Sequence, residues 1–159
     1  MPNVTVISVG KIKEKAIKDA LSEYEKRLSR FVKFKSIEIS DRPIPDNASP
    51  SEEQSVLEKE GADILSKINK GDVVIALCIE GKKLSSVQFA KKISDFFMTS
   101  SSLTFIIGGS LGLSQAVKDR SDFNMSMSDM TFPHNLARLM LTEQIYRAFK
   151  INSNESYHK

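Results

Sequence analysis

The chain has 159 residues, and its 23 lysines and arginines against 20 aspartates and glutamates give a net charge of +3. This length is typical of one domain, and a hydrophobic fraction of 40% with 27% charged residues excludes a globally disordered chain. The single cysteine, Cys78, excludes an intrachain disulfide and a site with several cysteine ligands. Because it lies in the apolar run Val73–Ile79, we expect a reduced core residue of a cytoplasmic protein.

Targeting and membrane segments are not expected. Residues 1–10 lack the basic start and the long apolar stretch of a signal peptide. The longest apolar run, Val73–Ile79, is far shorter than the ~20 residues that span a bilayer. We therefore expect a cytoplasmic protein that has no membrane partner.

The first third of the chain predicts a strand, a helix and a second strand. The β-branched run Val4–Val9 predicts a strand, and helical spacing of apolar residues follows over Lys13–Ser29. Phe31–Ile39 returns to an alternation of period two, with a slip near Lys35–Ser36. Ser40–Pro50 interrupts both patterns and predicts a loop.

The middle of the chain predicts a second helix and a buried strand. Ser49 is placed to cap a helix that has Pro50 at its first position, and Glu52 completes a capping box. We expect Gly71 to end this helix. The continuous apolar run Asp72–Ile79 is typical of a strand that is buried on both faces of a parallel sheet.

The rest of the chain continues the alternation of helices and strands. Gly81 marks a turn, and Ser85 or Ser86 caps the next helix. The elements that follow are a strand at Leu103–Ile107, a loop at Gly108–Gly112, a short helix from about Leu113, a weak strand at Asp122–Met127, a loop at Ser128–Pro133 and a long helix at His134–Lys150. This alternation predicts an α/β fold with a mostly parallel sheet flanked by helices.

Ligands of such sheets bind at the carboxyl ends of the strands. Three predicted loops lie there, at Glu80–Leu84, Gly108–Gly112 and Ser128–Pro133. In the second loop, glycines follow a strand and precede a helix, so that the backbone can come close to a ligand. Their spacing matches neither G-x-G-x-x-G nor a Walker A loop, and a plain tight turn explains them equally well.

The third loop and the last helix hold polar residues that have either a functional role or an ordinary structural one. Thr131 is placed to cap the helix and Pro133 to start it. His134 then lies in the first turn, either as a functional group or as a surface histidine. Glu143 and Arg147 are four residues apart, which is also the spacing of an ordinary ion pair on a solvated helix face.

Basic and aromatic groups elsewhere suit nucleic acid. Tyr157-His158-Lys159 either frays or offers aromatic, titratable and basic groups to a nucleobase and its phosphate. Lys26–Lys35 has five cations and no acid. Such clusters suit phosphate contacts, although lysines also keep small proteins soluble.

Metal catalysis and a serine nucleophile have little support. Two histidines, His134 and His158, with no clustered carboxylates make a poor ligand set, so no metal is expected. No G-x-S-x-G elbow is present. A compact basic chain with a glycine loop therefore fits a transferase that mainly positions its reactants.

Short motifs lie in order along essentially the whole chain. They are Val9-Gly10-Lys11, Leu77 with Gly81-Lys82 and Ser85-Ser86, Ile106-Ile107-Gly108-Gly109-Ser110-x-Gly112, Met130-Thr131-Phe132-Pro133-His134, Glu143-Gln144-Ile145-Tyr146-Arg147-Ala148 and Tyr157-His158-Lys159. Together they resemble the ribosomal large-subunit RNA methyltransferase H family of the SPOUT class.

The resemblance implies one SPOUT domain over residues 1–159, with a C-terminal trefoil knot, in an obligate homodimer. It implies methyl transfer from S-adenosylmethionine, without a metal, to N3 of a pseudouridine in the 23S rRNA of the assembled ribosome. The implied cofactor residues are Leu77, Gly108, Met127, Ser128, Asp129, Met130, Thr131 and Phe132.

The residues that the resemblance implies near the target base come partly from the partner subunit. They are His134, Glu143, Arg147, Tyr157, His158 and Lys159. The N3 proton must leave, and His158 is the expected acceptor. Arg147 or Lys159 would stabilise the developing anion.

A few positions depart from the pattern expected of this family. Asn154 stands where a glycine is expected, but asparagine tolerates the left-handed conformation, so the turn should survive. Ser153 and Ser156 replace basic or small apolar residues, and Asp129 adds a negative charge that either favours a sulfonium or faces solvent. Two other functions stay open: a non-catalytic RNA- or ribosome-binding protein with the same fold, and a nucleotide-binding α/β protein.

Overall fold

The computed structural model describes residues 1–159 and places five strands and five helices in strict alternation. In chain order they are β1 (Asn3–Val9), α1 (Lys15–Leu28), β2 (Lys33–Ile39), α2 (Pro50–Leu65), β3 (Val73–Lys83), α3 (Ser86–Phe97), β4 (Ser102–Ile107), α4 (Gln115–Arg120), β5 (Phe123–Ser126) and α5 (His134–Asn152). The sheet order is β2-β1-β4-β3-β5, and every neighbouring pair is parallel. The predicted α/β fold with helices flanking a parallel sheet is confirmed.

The sheet is covered on both faces. One core packs α1, α3 and α5 against residues such as Val4 and Phe105. The other packs α2 and α4 against residues such as Ile7 and Val74. Because successive strand residues point to opposite faces, a strand between two cores must be apolar at every position, which explains the run predicted as β3.

The edge strand β2 corrects one prediction. Its register with β1 runs without a shift from Lys33 to Ile39, so the slip predicted near Lys35–Ser36 is wrong. Phe34 packs against the first core, whereas Ile37 and Ile39 belong to the second. The apolar residues therefore change from one face to the other along a regular strand, because both faces of β2 are covered.

Helix starts follow the sequence closely, and helix ends less so. Ser49 Oγ accepts from the Glu52 backbone N–H at 3.2 Å, and Glu52 accepts from the Ser49 N–H at 3.3 Å, so the predicted capping box is confirmed. Ser85 caps α3 in the same way. However, α2 ends at Leu65 and not at Gly71, because residues 66–72 form turns before β3.

Strand β3 is longer than predicted, and Gly81 lies within it and not in a turn. Leu77 and Lys82 both pair with Met125 of β5, so residues 78–81 form a four-residue bulge outside the ladder. A Cβ atom on Gly81 would lie 2.6 Å from the Met125 carbonyl carbon, so only glycine allows this close approach. The bulge turns its other side chains away from the sheet.

The last helix, α5, contacts both α1 and α3. None of the five helices is both long and apolar enough to cross a membrane. A trefoil knot concerns how the chain passes through its own loops, which strand order alone does not decide, and it stays a prediction.

Candidate active site

A cavity of about 800 Å³ opens where the parallel strands end. Its walls come from the carboxyl ends of β1, β3, β4 and β5 and from the loops that follow them. We call it the edge cavity. It occupies the position that the sequence predicts for a ligand site in a sheet of this kind.

The glycine loop after β4 forms one wall through its backbone. A Cβ atom on Gly108 would lie 2.5 Å from the Gly112 carbonyl oxygen, so no larger residue fits there. Gly112 donates its N–H to the Gly109 carbonyl at 3.0 Å and has a φ of +81°. The loop is therefore both a tight turn and a cavity wall, and the two interpretations of the sequence are compatible.

The loop between β5 and α5 forms the opposite wall. Its conformation is held by Ser128, whose Oγ accepts from the Met130 N–H at 3.0 Å and whose carbonyl accepts from the Ser126 hydroxyl at 3.0 Å. Of the eight residues implied for the cofactor, seven line the edge cavity: Leu77, Gly108, Met127, Ser128, Met130, Thr131 and Phe132.

Asp129 is the exception among the implied cofactor residues. Its carboxylate lies 2.5 Å from the ammonium of Lys83, and its side chain is 79% exposed. The sequence left two possibilities for the Asp129 carboxylate, next to a sulfonium or facing solvent, and the structure shows it facing solvent. It ties the β5–α5 loop to the end of β3 and does not line the cavity.

His134 begins α5 and also lines the edge cavity. Its Nε2 atom is buried without a hydrogen-bond partner, so a fully exposed surface histidine is excluded. The ring packs on Gly10, where a Cβ atom would lie 3.1 Å from Nε2. Pro133 occupies the N-cap position without a side-chain hydrogen bond, so the prediction that Thr131 caps α5 is wrong.

Four of the five remaining predicted catalytic residues gather around one carboxylate, and the fifth, Lys159, does not. Glu143 Oε1 accepts from Arg147 Nε at 2.9 Å and Nη2 at 2.6 Å, and from the Tyr157 hydroxyl at 3.1 Å. Arg147 Nη1 lies 3.1 Å from His158 Nδ1, and its guanidinium lies over the Tyr157 ring. We call Glu143, Arg147, Tyr157 and His158 the tail cluster.

Electrostatics fix the protonation of two groups in the tail cluster. The hydrogen bond to Glu143 raises the pKa of Arg147, which stays a cation. Burial, and then the neighbouring Tyr24 and Glu143, raise the pKa of Tyr157, so its hydroxyl remains a donor. The cluster therefore holds the Arg147 cation, paired with Glu143, beside an imidazole.

The chain after α5 is docked and not frayed. Asn154 has a φ of 54°, and the Glu155 N–H donates to the Lys150 carbonyl at 3.0 Å. The Glu155 carboxylate pairs with Arg30 at 2.5 Å and with Lys150 at 2.8 Å. The turn expected at Asn154 is thus present, while Lys159 beyond it is exposed.

One chain does not bring all predicted catalytic residues together. No member of the tail cluster lines the edge cavity. At ~1.5 Å per residue, Glu143 lies about 14 Å along α5 from His134, and Arg147 lies about 20 Å from it. His134 therefore lines the edge cavity, and the tail cluster lies farther along α5. Glu143 lines a second hollow, which shares Ser126 and Met127 with the edge cavity.

Sequence reasoning missed the surroundings of two residues, Cys78 and Arg138. Cys78 was expected in the core, but the β3 bulge turns it into the cavity wall, half-buried, and burial raises the pKa of its thiol. Arg138 is 7% exposed and pairs with Glu38 at 2.9 Å, although its spacing from His134 gave no sign of this. No group of three His, Cys, Asp or Glu side chains lies close enough together to hold a metal ion.

Comparison with known proteins gives the family. The sequence profile described as "Predicted SPOUT methyltransferase" matches residues 2–158. This chain belongs to the SPOUT methyltransferase family. The resemblance stated from the motifs is therefore confirmed, and the edge cavity lies in a SPOUT methyltransferase.

Curated members of the SPOUT family match along nearly their full length. The chain is 55% identical to the ribosomal RNA large subunit methyltransferase H of Streptococcus thermophilus, over 98% of this chain and 99% of the relative. It is 54% identical to the ribosomal RNA large subunit methyltransferase H 1 of Clostridium perfringens, over 99% of each chain. A Streptococcus pneumoniae protein of the same name is 54% identical over 98% of this chain.

Proposed function

We propose that this chain, as one SPOUT domain over residues 1–159, is a methyltransferase that transfers the methyl group of S-adenosylmethionine to large-subunit ribosomal RNA. The observation that carries the proposal is the match of 54–55% identity, over nearly the whole length, to relatives named for that activity. The edge cavity supports it from the chain's own residues.

The edge cavity fits an adenosyl cofactor in size and in chemistry. About 800 Å³ is within the usual range for small-molecule sites, and 11 of its 23 lining residues are hydrophobic. Leu77, Met127 and Phe132 offer apolar contacts to a flat base, and the glycine loop, whose tight turn requires Gly108, forms the wall beside them. When bound, S-adenosylmethionine supplies a methyl group activated by its sulfonium.

The proposed substrate is N3 of a pseudouridine in the 23S rRNA of the assembled ribosome, as the resemblance implies. The protein's task is to hold N3 in line with the methyl group and to remove the N3 proton. His158 is the proposed proton acceptor. The fixed cation of Arg147, oriented by Glu143 and assisted by Lys159, would stabilise negative charge on the base.

We propose a homodimer because the two parts of the site are separated within one chain. A two-fold axis across α5 would run two copies of this helix antiparallel, so that the tail cluster of one subunit meets the edge cavity of the other. Three apolar residues on α5 support this: Leu136 is 41% exposed, and Leu139 and Met140 line a surface hollow whose other walls come from α1, the start of α3 and the end of β5.

The test is transfer of labelled methyl from S-adenosylmethionine to ribosomes that lack the modification, beside naked 23S rRNA. Label on ribosomes only, at one pseudouridine, is the expected result. No label on either substrate from a folded, dimeric protein would overturn the proposal and favour a non-catalytic RNA-binding role. The His158→Ala variant should bind the cofactor normally and lose single-turnover transfer, and undiminished transfer would remove His158 from the scheme.

A further inference from the structure

Asp41 is a cavity carboxylate without a cationic partner. Two carboxylates line the edge cavity, and Glu80 is already paired with Lys118, which lowers the pKa of Glu80. Asp41 forms no ion pair, because the guanidinium of the adjacent Arg42 is turned away to Asp63 at 2.9 Å. Its side-chain neighbour is another acid, Glu60, so the negative charge of Asp41 has no compensating cation in the protein.

Asp41 is held in place by a buried residue behind it. Glu60 of α2 is 4% exposed and accepts the backbone N–H of Arg42 at 3.1 Å. This bond fixes the chain directly beside Asp41. The Asp41 Oδ1 atom then lies 3.6 Å from the position of a Cβ on Gly109, so the carboxylate stands at the glycine loop.

The two ends of the edge cavity differ in chemistry. Leu77, just before the bulge in β3, and Met127, just after β5, make one end apolar. Asp41 follows β2 on the other side of β1, so the acidic end lies across the sheet from the apolar one. β2 and β3 are three positions apart in the sheet, which corresponds to about 14 Å at ~4.8 Å between neighbouring strands.

We infer that Asp41 binds the α-ammonium group at the amino-acid end of the methyl donor, and that Glu60 positions Asp41 for this contact. This inference rests on the proposed use of S-adenosylmethionine. With the adenine at the apolar end, the amino-acid arm reaches toward Asp41. An ammonium offers three N–H donors to a carboxylate, whereas a sulfonium offers none.

Calorimetric titration with three adenosyl ligands tests the inference without turnover. S-adenosylmethionine and S-adenosylhomocysteine both carry the ammonium, and 5′-methylthioadenosine lacks it. Asp41→Asn should weaken the first two about tenfold and leave the third unchanged. Asp46→Asn is the matched control, since it removes the same charge from the same loop outside the cavity and should change none of the three.

The outcomes separate the possible failures. Equal losses for all three ligands, or no loss, would overturn the role of Asp41. A loss for S-adenosylmethionine but not for S-adenosylhomocysteine would assign the charge to the sulfonium and overturn the ammonium contact. If the unchanged protein bound no S-adenosylmethionine, the proposed function would fail, and this inference with it.

Two variants of Glu60 test its positioning role. Glu60→Gln keeps an acceptor for the Arg42 N–H and should retain the affinity, whereas Glu60→Ala should weaken the two ammonium ligands and spare 5′-methylthioadenosine. Thermal unfolding of each variant identifies one that fails to fold. Equal binding by the folded Ala and Gln variants would limit Glu60 to a structural role.

Discussion

The edge cavity and the tail cluster are built in opposite ways. The cavity is enclosed by loops and many apolar side chains, with a tight glycine turn at Gly108 as one wall, and its one internal ion pair joins Glu80 to Lys118. The tail cluster consists of side chains that meet at a single carboxylate, Glu143. A site of the first kind depends on space, whereas one of the second kind depends on charge and hydrogen bonds.

This difference separates binding from chemistry in the proposed enzyme. Changes that distort the cavity walls should weaken cofactor binding strongly, and changes of charge in the tail cluster should leave binding intact and slow transfer. A variant of the tail cluster that weakens cofactor binding, or a variant of the edge cavity that slows transfer without weakening binding, would contradict this division.

The largest effect is expected from Gly108→Ala. The added methyl group would lie 2.5 Å from the Gly112 carbonyl oxygen, which must move into the cavity or displace the loop. Affinity for S-adenosylmethionine, measured by calorimetry, should fall about a hundredfold. Gly71→Ala is the control, because nothing lies within 4 Å of its Cβ position, and it should bind normally.

Glu143→Gln tests the tail cluster. The amide keeps the size of the side chain but removes the charge that orients Arg147 and accepts from Tyr157. Methyl transfer should fall by about tenfold to a hundredfold, with cofactor affinity unchanged. Asp95→Asn breaks another i,i+4 ion pair, with Lys91 on α3, and should be neutral. Weakened cofactor binding in the Glu143 variant would contradict the separation of the two regions.

Gly61→Ala should affect the cavity indirectly, because Gly61 packs against the N-cap residue of α4. A Cβ there would lie 2.3 Å from the Oγ of Ser114, which caps α4 just after the glycine loop. The free energy of unfolding in urea should drop by about 1–3 kcal/mol. The double variant with Ser114→Ala should recover part of this loss, and simple additivity of the two changes would argue against the steric explanation.

Glu60 predicts a pH dependence of stability. Burial, the charge of Asp41 and its contact with Asp41 outweigh the Arg42 N–H and raise the pKa of Glu60 above its ordinary 4.5, so the folded state favours the protonated acid. As pH rises past 4.5, the wild-type free energy of unfolding should therefore fall relative to that of Glu60→Gln. Urea titrations of both proteins below and above pH 4.5 measure the difference between their free energies of unfolding. A difference that does not change with pH would contradict the raised pKa of Glu60.

The smallest effect is expected from Asp129→Asn. Its pair with Lys83 is exposed on both sides, so its loss should cost no more than about 0.5 kcal/mol of stability. Cofactor affinity should hardly change, since Asp129 does not line the cavity. A large loss of affinity would place Asp129 among the cofactor residues after all.

Local patterns predicted much of the fold. The apolar run of β3 follows from two covered faces, and the capping box at Ser49 and Glu52 depends only on residues three apart. Longer-range features escaped prediction. The bulge at residues 78–81 depends on Met125, more than forty residues later, and so the position of Cys78 could not be read from its apolar neighbours.

The candidate site was predictable only in part for a related reason. Backbone walls leave no side-chain signature, so the glycine loop alone could not be distinguished from a turn. The docked tail depends on Glu155 meeting Arg30 and Lys150, and on Tyr157 meeting Glu143. None of these pairs has a spacing that marks a contact, although the motifs that resemble the family point to the same residues.

The bulge in β3 gives the protein a place where length can change without cost to the sheet. Because Leu77 and Lys82 both pair with Met125, the ladder is in register on either side of residues 78–81. A residue inserted or deleted among Cys78, Ile79 and Glu80 would alter the cavity wall outside the ladder, provided that Gly81 keeps its place against Met125. Homologues could therefore vary the shape of this pocket by small insertions while the core sequence stays unchanged.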